Sequence, residues 1–347
     1  MIDTTDTSRT LMTMSGALQG LDTKVVYIGG VGRSGSTLLG RILGEAPNAV
    51  CVGETRYIWA RGVRDNVECG CGKAFRECPF WDAVGMDAFG GWDQIQSELV
   101  AELDRAMTWP HTIPAYVATQ LPRNVARRTN AYISYLATLY AAISRISKAT
   151  TIIDTSKAPG FANLLQCIPG GDLRIVHLVR DSRAVAYSWN RRKRLPSPLP
   201  GHNGQQEFMT RSKAVAILAS KYLGWNSAFH LPSLHQAPYL RLRYENFVAD
   251  PIDGLRVLSA FSGETLTLPE SHFKDNSVQL GNHHIFSGNP MRERMGLVPI
   301  KLDDEWRTLM PQSQFHQVTA ITSPLLRLYG YPLRRGPDAP VQANRFA

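Results

Sequence analysis

No apolar run in these 347 residues approaches the roughly 18 that a membrane-spanning helix needs. Residues 1–20 lack a basic n-region and an apolar h-region, so they read as a disordered tail and not as a signal peptide. Five cysteines at this length do not suggest a disulfide framework. Together these absences make a cytoplasmic location the expectation. There is no internal repeat, and no polybasic tail of the kind that binds nucleic acid or membranes unspecifically. No nucleic-acid partner is therefore expected. What the sequence does have is a net charge of +9 and a pI near 9.4, with Arg in excess of Lys. That balance favours an anionic ligand, and Arg suits bidentate phosphate binding. A hydrophobic content of 44% is ordinary, and the length can bury a large core in one elaborated domain or two.

The chain is organised around residues 24–43, KVVYIGGVGRSGSTLLGRIL. Val25 to Ile28 reads as a buried parallel strand. Glycines 29, 30, 32 and 35 permit a tight turn with positive φ. Ser36 and Thr37 are expected to cap a helix in which Leu38, Leu39, Ile42 and Leu43 carry the apolar face. Strand, glycine turn and helix N-terminus form an anion cradle, because first-turn N–H groups lack partners and the helix dipole is positive there. An ordinary βα turn needs neither four glycines nor the run Arg33-Ser34-Gly35-Ser36-Thr37. Aligned on Gly30 and Gly35, the loop is a Walker A motif without its lysine, since Ser36 stands in that place. Arg33 is the nearest cation. The ligand expected is a phosphorylated nucleotide, and not obviously a triphosphate.

Further strands carry polar residues at their C-terminal ends, the edge where open α/β sheets bind ligands. Ala49–Val52 is followed by Gly53-Glu54, which makes Glu54 a candidate for chemistry or else a solvated loop carboxylate. Thr150–Asp154 is followed by Thr155-Ser156-Lys157, which brings Lys157 towards the phosphates unless it is an ordinary surface lysine. Leu173–Val179 runs into Arg180, with Ser188 two turns into the next helix. That pair could grip one phosphate from two sides. His177 within this strand reads as a satisfied core histidine, and Arg191, Arg192, Lys193 and Arg194 as a solvated basic face. Tyr239–Leu242 leads into Arg243-Tyr244-Glu245. Helices are expected at Trp92–Met107, Arg123–Lys148 with a core stripe of Tyr132, Leu136 and Tyr140, Pro159–Cys167, from Ser182 through Arg194, Glu207–Leu231, Asp303–Leu309 and Ser313–Leu328. Residues 265–301 read as irregular and 195–206 as a loop. The insert at 60–82 holds Cys69, Cys71 and Cys78. Three cysteines could bind zinc, but a closed site needs a fourth ligand and no histidine lies nearby, so no metal is expected. Structural thiols or a disulfide are equally open. Alternation of strands and helices predicts an α/β fold with a central parallel sheet flanked by helices, over 21–335, between tails 1–20 and 336–347.

In this order the motifs resemble those of the sulfotransferases that use 3′-phosphoadenosine 5′-phosphosulfate (PAPS). They are closest in pattern to the protein-tyrosine sulfotransferases and their soluble bacterial relatives. GRSGSTLL at 32–39 resembles the 5′-phosphosulfate loop, and Arg180 with Ser188 the 3′-phosphate site. Gly53-Glu54-Thr55-Arg56, Lys157-Ala-Pro159, Tyr244-Glu245 and Leu-Tyr-Gly-Tyr at 328–331 have counterparts. The resemblance spans about 24–332 and implies a P-loop-like domain. It implies that Arg33, Ser34, Gly35, Ser36 and Thr37 hold the 5′-phosphosulfate, that Arg180, Ser188 and Arg192 hold the 3′-phosphate, and that Tyr244 lies against the adenine. Glu54 matches the general base, Lys157 the transition-state cation and Ser287 a serine near the sulfuryl group; no metal is required. The membrane anchor and the disulfide of the luminal tyrosine enzymes have no counterpart here, and the cysteine insert is foreign to them. The acceptor hydroxyl therefore stays open among small molecules, glycans, lipids and tyrosine. A P-loop kinase with Asp154 as its Walker B carboxylate, and a non-catalytic nucleotide-binding protein, are the alternatives.

Overall fold

The first strand, β1 (Lys24–Gly29), is buried on both faces, as an apolar run inside a parallel sheet must be. Val25 and Tyr27 enter the core on one side of the sheet, and Val26 and Ile28 the core on the other, the period-two alternation of a strand. A computed structural model describes residues 23–96, 100, 103–104, 123–191, 213–231 and 236–335. The expected tails, Arg192 and the loop 195–206 lie outside the described residues.

After β1 come α1 (Ser36–Leu43), β2 (Ala49–Gly53), a π-helical stretch Ile58–Arg64 and α2 (Pro79–Phe89). The long α3 (Arg123–Ser147) leads to β3 (Thr151–Lys157), α4 (Pro159–Leu165), β4 (Asp172–Val179) and α5 (Ser182–Asn190). Then follow α6 (Val215–Ala228), β5 (Tyr239–Arg243), α7 (Tyr244–Ala249) and α8 (Pro251–Ser262). Short strands β6 (Phe273–Lys274), β7 (Ser277–Leu280) and β8 (Gly296–Pro299) precede α9 (Trp306–Leu309) and α10 (Gln312–Leu328). The main sheet has the order β2-β3-β1-β4-β5, with every pairing parallel. The expected α/β class is what the chain adopts. With β3 and β4 on either side of β1, the loop leaving β1 emerges at the switch point of the topology, where ligands of such sheets sit.

Several local readings need correction. Gly35, not Ser36 or Thr37, is the N-cap of α1, with φ +92° and no side-chain cap; the serine and threonine are the first helical residues. Strand β3 continues through Lys157, which expectation put beyond the strand end. The stretch 265–301 is not wholly irregular, because β6, β7 and β8 form an antiparallel sheet within it. The helix expected from Trp92 begins only as a 3₁₀ turn, Trp92–Gln94, and most of its remainder lies outside the described residues. The stripe of α3 is core, as read, with Tyr132, Leu136 and Tyr140 fully buried. His177 is also core. Its Nδ1 lies 2.6 Å from the Tyr239 hydroxyl and its Nε2 2.9 Å from Asn226 Oδ1. Burial pushes its pKa down to about 3, so it stays neutral. Among the described residues no helix is long and apolar enough to cross a membrane.

Candidate functional site

The turn between β1 and α1 is shaped by two close approaches. A Cβ on Gly30 (φ +128°) would lie 2.4 Å from the Leu178 carbonyl oxygen, and one on Gly35 2.3 Å from the Tyr244 ring. Between them Arg33 takes φ +78°, a costly conformation for a residue with a side chain. Its guanidinium lies 5.1 Å from the centre of the Trp189 ring. Burial, then the charges of Arg180 and Arg191, lower its pKa to about 10, so it stays a cation. Beneath it Ser34 is buried, and its Oγ has no hydrogen-bond partner among the described residues. A buried hydroxyl without a partner is costly, and this one lies in the turn between β1 and α1.

Arg180 closes the other side of the turn from the end of β4. It donates to the Arg33 carbonyl at 3.0 Å and the Asp303 carbonyl at 2.8 Å, and its guanidinium stacks 4.9 Å from the Tyr244 ring centre. Its Nε is buried without a partner among the described residues. Ser188 on α5 faces the same cleft, and the adjoining Trp189 donates to the Gly32 carbonyl at 3.3 Å. Arg191, rather than Arg192, is the described member of the basic run that lines the cleft, paired with Glu305 at 2.6 Å.

Glu54 and Lys157 meet because their strands are neighbours. The register pairs Gly53 with Asp154, and Gly29 of the phosphate loop with Lys157. Lys157 Nζ lies 2.5 Å from Glu54 Oε1 and donates to the Thr155 carbonyl at 3.0 Å. Its backbone, at φ +69°, gives its carbonyl to Gly30 N at 3.2 Å and Trp225 Nε1 at 3.1 Å. Below the pair, Asp154 accepts from the Thr55 and Tyr140 hydroxyls and from Ser156 N. Burial raises its pKa. Fully buried, with both carboxylate oxygens engaged, Asp154 anchors the Glu54 segment and does not line the cleft, unlike the Walker B carboxylate of the kinase reading.

Ser287 is not at the cleft surface. It is buried, and its Oγ accepts from Arg61 Nη1 at 3.0 Å; the neighbouring Gly288 lines the cleft instead. A Cβ on Gly288 would lie 3.6 Å from both Glu54 Oε1 and Thr37 Oγ1, so this segment closes over the pair. The whole forms an open cleft of about 870 Å³, with ten basic and five acidic residues among those lining it. Trp189 and Trp225 escaped sequence reasoning as cleft residues. Trp189 sits one residue from Ser188, and that adjacency was the available signal. The bond from Arg61 to Ser287 gave none, since the two lie 226 residues apart. The cysteine insert also holds a surprise: Cys69, Cys71 and Cys78 gather around His284, a histidine the sequence does not place nearby.

A family model described as the sulfotransferase family matches residues 26–267. Carbohydrate sulfotransferase 5 of Mus musculus is 25% identical over 325 residues, covering 86% of this chain and 78% of that protein. Carbohydrate sulfotransferase 3 of Homo sapiens is 29% identical over 191 residues, which span 51% of this chain and only 37% of that protein. A solved sulfotransferase from Alicyclobacillus acidocaldarius covers 88% of this chain and 96% of its own, at 13% identity and a TM-score of 0.35. At that score the fold rests on the strand order described above.

Proposed function

Because the chain belongs to the sulfotransferase family, and so to the transferases, we propose that it moves a sulfuryl group from PAPS to a hydroxyl of a carbohydrate acceptor. The observation that carries this reading is the Glu54–Lys157 pair at 2.5 Å, set beside a phosphate loop that lacks the Walker lysine. The residues suit the donor. Ser34 Oγ and Arg180 Nε, buried without partners among the described residues, are donors that an anion bound at this turn would satisfy. Arg33, Ser34, Gly35, Ser36 and Thr37 would hold the 5′-phosphosulfate at the N-terminus of α1. Arg180 and Ser188, together with Arg192 from outside the described residues, would hold the 3′-phosphate, and Tyr244 would line the adenine side.

Bound PAPS supplies the sulfuryl group. The protein's part is position and charge. Glu54 takes the proton of the acceptor hydroxyl as that oxygen attacks in line. Lys157 offsets the negative charge that builds on the oxygen bridging to the departing phosphate. Thr55, bonded to Asp154, fixes the Glu54 backbone. Ser287 acts from behind the wall, holding Arg61 towards the cleft. The carbohydrate acceptor is favoured by the names of the relatives and by an open cleft whose many charged side chains can hydrogen-bond a polyhydroxyl chain.

The test is transfer from radiolabelled PAPS to a panel of glycans, phenols and lipid alcohols. Glycan labelling is expected, and it should fail with Glu54→Gln. Labelling of phenols alone would move the acceptor to tyrosine. Binding of 3′,5′-ADP with no transfer to any acceptor would make the chain a nucleotide-binding protein instead.

A further inference from the structure

Cys69, Cys71, Cys78 and His284 place three Sγ atoms and one ring nitrogen within 4.8 Å of one another. Cys71 Sγ is 3.5 Å from Cys78 Sγ, and His284 Nδ1 is 3.2 Å from Cys78 Sγ and 4.0 Å from Cys69 Sγ. Zinc–sulfur bonds of about 2.3 Å and zinc–nitrogen bonds of about 2.0 Å put the edges of a tetrahedral site at roughly 3.5–3.8 Å. The observed separations bracket those edges. We propose that these four residues form a closed Cys₃His site for a structural zinc ion.

A disulfide explains the arrangement less well. It would join two of the sulfurs and leave the third and the imidazole without a reason to converge. The surroundings are those of a built site. Cys69 and Cys78 are buried. The turn Cys69–Lys73 is closed by Cys69 N bonding to the Lys73 carbonyl at 2.8 Å, and an antiparallel bridge joins Glu68 to Ala74. Gly70 N donates to the Ile285 carbonyl at 2.9 Å, tying the knuckle to the irregular segment that brings the histidine. The imidazole is fixed as well: Phe80 stacks on it with centroids 4.9 Å apart and planes 14° apart, and Trp81 Nε1 donates to the His284 carbonyl at 2.6 Å. Such support around a ligand sets its ring orientation. Three thiolates with one imidazole, and no place left open, select zinc in a structural role.

The ion would join the insert to residues 283–288, the segment that brings Ser287 and Gly288 over Glu54. It would brace the acceptor wall and leave the donor site, built from β1 and β4, alone. The experiment is elemental analysis of the full chain purified without chelator, with cobalt substitution as a spectroscopic check. One zinc per chain is expected, with tetrahedral thiolate-to-cobalt absorption after exchange and a lower melting temperature once the metal is stripped. Cys71→Ser and His284→Asn should lose the ion. His284→Cys, which rebuilds four ligands, should keep it. Binding of 3′,5′-ADP should be unchanged by stripping. Wild-type protein that neither carries zinc nor takes it up would overturn the proposal. So would a Cys71–Cys78 disulfide in peptide mass mapping of the protein as purified, or zinc retained equally by Cys71→Ser and His284→Asn.

Discussion

Glu54 and Lys157 show how a side chain's use is set by where its strand ends. Neither stands out in composition, yet adjacent strands deliver both to the edge of the sheet where the β1–α1 turn lies. Glu54→Gln keeps the shape and loses the proton acceptor. Single-turnover transfer should slow by about 10²–10⁴-fold with affinity for 3′,5′-ADP preserved; wild-type turnover would remove Glu54 from the mechanism. The positions of both residues at the sheet edge were legible because Glu54 directly follows one apolar strand and Lys157 ends another. The Arg61–Ser287 bond was not, because neither residue's neighbours mark it. His177 gives a second test at this scale. Its folded pKa is depressed to about 3 from 6.5, so below pH 6.5 the unfolded chain binds a proton that the folded one refuses. Stability from this group is therefore full above pH 6.5 and falls as pH drops, by up to about 1.4 kcal/mol per pH unit, until the folded pKa is reached. Urea titrations of wild type and His177→Gln at stepped pH should differ in that slope, and identical slopes would count against a neutral buried imidazole.

Among elements, the junction of β4 with α5 concentrates the most function. Arg180, just past the strand end, lines the cleft, and three residues on Arg183 turns inward. Arg183 is fully buried between the Trp306 and Phe315 rings and pairs with Asp181 at 2.6 Å. A charged hydrogen bond to an anion is worth roughly 1.5–3 kcal/mol. Arg180→Ala should thus weaken 3′,5′-ADP by about tenfold or more while leaving 5′-ADP nearly as before; equal losses for both, by calorimetry, would place Arg180 away from the 3′-phosphate. Arg183→Met leaves the Asp181 carboxylate buried without its cation, at a cost of about 3–5 kcal/mol. Denaturant unfolding should show that loss, and a change under about 1 kcal/mol would mean that Asp181 finds other donors. The sequence announces Arg180 by its strand-end position. It hides Arg183, which reads as one more surface charge, because the aromatic rings that enclose it lie more than a hundred residues on.

At the scale of the molecule, the parallel sheet was readable because most of its strands carry apolar stretches that lead into glycine or polar residues. The small sheet was not. With two residues in β6 and four each in β7 and β8, periodicity has too little length to speak. The fourth ligand of the cysteine cluster was invisible for a related reason. His284 lies 206 residues beyond Cys78, and only the folding of 283–288 against the insert brings them together.

The register of the central strand has a consequence in time. Lys24 pairs with Thr151 on one side and with Asp172 on the other. On a ribosome adding roughly 5–20 residues per second, β1 spends on the order of ten seconds with both edges bare. Pairings this distant in sequence place refolding in the millisecond-to-second range and not in microseconds. Stopped-flow refolding should find it there. A nascent chain arrested before β4 should fail to retain 3′,5′-ADP and should be captured by holding chaperones, since the cradle at residues 30–37 has as yet no Arg180 to close it.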